Sequence, residues 1–141
     1  MPTVLFVDDE LAVLTGLKRA LWKEPYLILT ADSGAKALEV LAGTPVDVVI
    51  SDERMPSMSG SAFLARVREL YPAIMRIMLT GEAGLPAAVR AINEGPLYRF
   101  LNKPLAPSEL ARTIRQALQM KALAEQSKDL RRCHSLEKPH G

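Results

Sequence analysis

Val4-Leu5-Phe6-Val7-Asp8-Asp9-Glu10 places four apolar residues in an unbroken row and then three acids. A row without polar alternation fits a strand covered on both faces, as in the middle of a parallel sheet. The shape returns further on: Val46 to Ile50 ends in Ser51-Asp52, Ile74 to Leu79 ends in Thr80-Gly81, and Tyr98 to Leu101 leads into Asn102-Lys103-Pro104. Tyr26 to Thr30 reads as a further strand. Between these runs the apolar spacing is helical. Val13, Leu14, Leu17, Ala20 and Leu21 form one stripe, and Ser33 caps a second helix that holds Ala37, Leu38 and Leu41 and stops at Gly43. Phe63, Leu64, Val67 and Leu70 mark a third, residues from about Leu85 to Asn93 a short fourth, and Leu110, Ile114, Ala117 and Leu118, capped by Ser108, a fifth. Strands alternating with helices predict an α/β domain, a doubly wound parallel sheet with right-handed crossovers.

Composition narrows the class. The 141 residues suit one hydrophobic core, and 48% apolar with 24% charged residues is the balance of a globular domain. No apolar run approaches the ~20 residues needed to cross a bilayer. Acids arrive too early in the chain for a secretory leader. The single cysteine, Cys133, excludes an internal disulfide framework. A cytoplasmic protein is expected. Residues 1–120 are electrically balanced, so the excess charge of +2 sits in residues 121–141, and the body has no global drive toward nucleic acid. The domain is expected over 1–120, followed by an extended helix or linker and a disordered tail over 121–141. Met120, Leu123 and Leu130 fall on one seam of that extension over barely two heptads, and a frayed surface helix is expected there rather than a partner helix. Cys133, His134 and His140 fit no zinc template.

In an open parallel sheet, functional groups gather at the carboxyl ends of the strands. The unusual polar residues stand there: Asp8 and Asp9 after strand one, Asp52 after strand three, Thr80 after strand four, Lys103 after strand five. Strand order 2-1-3-4-5 brings all of them to one crevice. Three carboxylates in one crevice need a cation or raised pKa values. Lys103 supplies one positive charge, and a magnesium ion, which favours carboxylates, waters and phosphate oxygens, supplies the rest. Magnesium would shield an incoming phosphodonor from Asp52, whose oxygen is then free to attack. Lys103 and the Thr80 hydroxyl would hold the transferred oxygens.

These residues resemble the response-regulator receiver family of two-component signalling, over about residues 3–120. The likeness is carried by Val7-Asp8-Asp9-Glu10, by Asp52-Glu53-Arg54-Met55-Pro56-Ser57-Met58-Ser59-Gly60, by Leu79-Thr80-Gly81 and by Lys103-Pro104. The resemblance implies a flavodoxin-like (βα)5 fold related to chemotaxis regulators. It implies Asp52 as the phosphoacceptor, with Lys103 and Thr80 assisting. Mg2+ would be bound by Asp9, Asp52 and the backbone carbonyl of Arg54, and by Asp8 through a water. A histidine kinase or phosphotransfer protein would be the donor. Thr80 and Phe100 would switch the face built from the helix after strand four, strand five and the last helix, a surface also suited to a homodimer. The Lys103–Pro104 bond is typically cis in the family. No membrane and no direct nucleic-acid contact is expected, and the chain would be regulatory rather than an enzyme.

Two departures stand out. Phe100 replaces a common tyrosine, so its movement must be coupled through packing alone. Arg54 and Glu82 lie two residues beyond Asp52 and Thr80, and are expected to pair across the site and restrict attacking water. Ala91-Ile92-Asn93-Glu94-Gly95 with Tyr98-Arg99-Phe100-Leu101 resembles receivers joined to HD-GYP cyclic-di-GMP phosphodiesterases or to hydrogenase-type transcriptional activators. A chain cut from such a regulator at its linker helix is expected, its output domain lying beyond these residues. Three rivals are weaker. A flavodoxin-type cofactor loop would hold phosphate on N–H groups where this chain has acids. A haloacid-dehalogenase-type phosphatase would place its nucleophile on strand one. A pseudo-receiver would lack the complete acidic set.

Overall fold

Four consecutive apolar side chains can all be buried only in a strand with helices on both of its faces, and Val4 to Val7 are at most 1% exposed. The computed structural model describes residues 1–81, 97–103 and 106–137, with the side chains of the last stretch described as far as Gln126. Its elements are β1 (Thr3–Val7), α1 (Leu11–Leu21), β2 (Leu27–Ala31), α2 (Gly34–Gly43), β3 (Val48–Asp52), α3 (Gly60–Leu70), β4 (Met75–Thr80), β5 (Tyr98–Asn102) and α4 (Pro107–Glu137). All neighbouring strands are parallel, in the order β2-β1-β3-β4-β5. This is the flavodoxin-like arrangement.

The pleat splits the core in two. Phe6, Ile50 and Ile77 face Leu14 and Leu21 of α1 and Leu110, Ile114 and Ala117 of α4. Leu5, Val49 and Met78 face Ala37 and Leu41 of α2 and Phe63, Leu64 and Val67 of α3. Each fully buried Leu, Ile or Phe contributes roughly 1.5–3 kcal/mol relative to exposure, before the entropy of ordering is subtracted.

Element boundaries differ from the sequence expectation in physically readable ways. Ser33 does cap α2, its hydroxyl accepting from the N–H of Lys36. Ser108 does not cap the last helix. Pro107 takes the first helical position, where its fixed φ and missing N–H cost nothing, and the Ala106 carbonyl accepts from the N–H of Leu110. Leu70 is 48% exposed because α3 ends there and Tyr71 packs against the core instead. β2 begins at Leu27 rather than Tyr26, and β3 at Val48 rather than Val46. The helix expected over Leu85–Asn93 lies outside the described residues. Among the described residues, no helix is long and apolar enough to cross a membrane.

Candidate functional site

The register of the sheet sets the site. Val7 pairs with Ser51, so Asp8 and Asp9 leave β1 beside Asp52 at the end of β3. Thr80 pairs with Asn102, so Lys103 leaves β5 beside the end of β4. Lys103 N–H donates to the Thr80 carbonyl at 2.7 Å, and its ammonium donates to Asp52 Oδ1 at 2.6 Å. Asp9, Asp52, Arg54, Thr80 and Lys103 line one cleft, together with Glu10 and Gly81.

Oxygens of Asp8, Asp9 and Asp52 all lie within 4.8 Å of one another. Asp8 is 6% exposed, Asp52 is half-buried and Asp9 is exposed. Burial is the chief cause that raises the Asp8 pKa above its ordinary range, and the charges of Asp52 and Asp9 add to it. The Glu10 N–H, which donates to Asp8 Oδ1 at 2.9 Å, and the Lys103 charge pull the other way. Three carboxylates, one of them buried against its preference for charge, make a hard oxygen donor set suited to a small divalent cation. The residues therefore fit magnesium.

The loop after Asp52 is fastened by contacts that residue types alone did not reveal. Glu53 accepts from the Ser61 N–H at 2.8 Å and from the Ser61 hydroxyl at 2.6 Å. Its own carbonyl accepts from the Gly60 N–H at 2.9 Å. A Cβ on Gly60 would stand 2.1 Å from the Asp52 carbonyl oxygen, so only glycine allows the loop to fold back this closely. Ser57 takes a positive φ of 70° at the loop's turn, and Ser59 caps α3 by accepting from the Ala62 N–H. A carboxylate bonded to serine in a polar loop leaves no periodic signal. The glycine was visible in sequence only as a turn residue.

The structure thus brings Asp8, Asp9, Asp52 and Lys103 together, with Thr80 1% exposed at the same strand ends. Phe100 packs, half-buried, against the core under α2 and α3. Arg54 lines the cleft, whereas Glu82 and Pro104 lie outside the described residues.

Comparisons with known proteins show the family and the fold. Residues 4–115 match the model of the response regulator receiver domain. The hydrogenase transcriptional regulatory protein HoxA of Cupriavidus necator is 38% identical over 121 residues, covering 86% of this chain and 25% of that protein. The transcriptional regulatory protein GlrR of Escherichia coli is 39% identical over 121 residues, covering 86% and 27%. The chain therefore spans about a quarter of the length of these relatives. The signal receiver domain of an HD domain-containing protein from Pseudomonas fluorescens superposes with a TM-score of 0.79 at 40% identity, covering 86% of this chain and 97% of that one. With its strand order, its carboxylate cluster and its lysine all in place, the chain belongs to the response regulator receiver domain family.

Proposed function

We propose that Asp52 accepts a phosphoryl group, in a magnesium-dependent reaction, from the phosphohistidine of a histidine kinase or phosphotransfer protein. The observation that carries this is the 2.6 Å contact between Lys103 and an Asp52 that also stands within 4.8 Å of two further carboxylates. Asp9, Asp52 and the carbonyl of Arg54 would hold Mg2+, with Asp8 acting through a water; the ion would neutralise the donor's phosphoryl oxygens and the acidic cluster. An Asp52 carboxylate oxygen forms the new bond to phosphorus, the bond from phosphorus to the donor's nitrogen breaks, and the electron pair leaves with the imidazole. Lys103 exchanges its contact with the Asp52 carboxylate for one with a phosphoryl oxygen. The Thr80 hydroxyl holds another.

Thr80 and Phe100 would pass the change outward. Lys103 is bonded through its backbone to the carbonyl of Thr80, so movement at Thr80 is felt at the end of β5, two residues beyond Phe100. The protein would act as a regulatory phosphoacceptor in the cytoplasm rather than as an enzyme with turnover. Its output would be a domain beyond these residues, a transcriptional activator or an HD-type phosphodiesterase, in keeping with the regulators and the HD domain-containing protein it resembles. We take residues 1–120 as the signalling unit and 121–141 as the connection to that output. A homodimer through the face of β5, the last helix and the segment before β5 remains part of the same proposal. Incubating the chain with a small acyl phosphate and Mg2+ and reading its intact mass tests it: one added phosphoryl group is expected, and none on Asp52→Asn.

A further inference from the structure

The buried stripe of α4 runs through Leu110, Ile114 and Ala117, and the next residue on that face is Lys121. Its side chain is only 12% exposed, whereas Met120 and Leu123 beside it face solvent. Lys121 lines a groove with Pro45, Val46, Tyr71 and Ile74 at the amino edge of the sheet. That edge is opposite the acidic cleft, since Asp47 begins the run that ends at Asp52.

Two carboxylates meet the half-buried ammonium. Asp47 Oδ1 lies 3.1 Å from Lys121 Nζ, and Glu125 Oε1 lies 2.6 Å from it. Asp47 is itself held by the sheet. Its second oxygen accepts from the Thr3 N–H at 2.8 Å, its N–H donates to the Thr3 carbonyl, and its carbonyl accepts from Met75 N–H. Lys121 therefore joins a residue anchored in β1, β3 and β4 to the first turn of α4 beyond the body. An apolar residue here would give burial without direction; an ion pair with a fixed acceptor also sets rotation and register.

We propose that Asp47 and Lys121 form a latch that fixes the exit direction of α4, so that the helix beyond Lys121 leaves the domain as a rigid continuation of it. An isolated stretch of the length remaining, residues 122–137, is marginally helical in water on its own. With the latch closed, its first turns inherit the order of the body. The latch goes beyond the phosphoacceptor reading and does not depend on it.

Hydrogen exchange of the full chain, followed by peptide mass, tests this on three variants. Lys121→Met keeps the stem and removes the charge. Asp47→Asn keeps an acceptor for Thr3 N–H and removes the ion pair. Lys121→Arg restores a cation. Amides of residues 122–130 are expected to exchange at least tenfold faster in the first two and at the wild-type rate in the third, while β1 and β3 stay protected. Unchanged exchange at 122–130 in both Lys121→Met and Asp47→Asn overturns the latch. Equal acceleration across β1 and β3 overturns it too, because the pair would then be holding the sheet together rather than steering the helix.

Discussion

Lys103 Nζ donates to Asp52 Oδ1 across 2.6 Å, although 51 positions separate the two residues in the chain. The contact exists because β3, β4 and β5 lie side by side and because Lys103 N–H is tied to the carbonyl of Thr80. It balances only one of three neighbouring carboxylates. The remaining negative charge is what a divalent cation would neutralise before an anionic phosphoryl donor could approach.

Lys103→Met removes the ammonium bonded to Asp52, which is also the proposed partner of the transferred oxygen. Labelling by an acyl phosphate at saturating Mg2+ is expected to slow by at least about tenfold, since one charged donor at a reacting centre commonly counts for more than that. Stopped-time intact mass measures it.

Asp8→Asn is expected to stabilise the metal-free protein by about 0.5–2 kcal/mol, the usual gain from relieving an unfavourable charge. Asparagine keeps an oxygen for the Glu10 N–H. The sign follows from linkage: burial raises the folded pKa of Asp8, so its ionised form opposes folding at neutral pH. Thermal melts should show Mg2+ stabilising the wild type more than the variant.

Gly60→Ala drives a methyl group into the Asp52 carbonyl, 2.1 Å away. The loop must move or α3 must start elsewhere. A loss of at least about 2 kcal/mol is expected, in the range of strained backbone sites, together with impaired labelling of the folded fraction. Denaturant unfolding gives the first and intact mass the second.

Tyr26 is 3% exposed, and its hydroxyl has no hydrogen-bond partner among the described residues. Burial, with help from Glu24, pushes its phenol from 10.0 to about 12. The neutral phenol's contribution is thus complete below pH 10 and is lost as pH rises through about 12. Tyr26→Phe should flatten the fall in stability over that window and change stability at neutral pH by less than about 1 kcal/mol, because the hydroxyl it removes is unpaired. Denaturant melts across alkaline pH check both.

The central strands were readable because a continuous apolar run has few other homes, and β1 and β3 carry the acidic ends that define the cleft. The start of α4 was misplaced because serine is a good cap in general, while Pro107 decides the matter locally. Contacts set by tertiary approach left no local mark. Glu53 and Ser61 look like ordinary loop residues until the loop closes over Gly60. Asp47 and Lys121 lie 74 positions apart and belong to no motif in the sequence, yet they meet at the sheet's amino edge. Arg76, a charge inside the apolar run of β4, is 3% exposed between β3 and β5, and its Nε and Nη1 have no hydrogen-bond partner among the described residues.

The most direct measurement is where a phosphoryl group lands. The protein is treated with an acyl phosphate and Mg2+, reduced with borohydride to convert any aspartyl phosphate to homoserine, and mapped by peptide mass. Phosphorylation at the acidic cleft predicts conversion at Asp52 alone, abolished by chelating the magnesium. Conversion at another aspartate, or at Asp52 with equal efficiency in the absence of divalent cation, would contradict it.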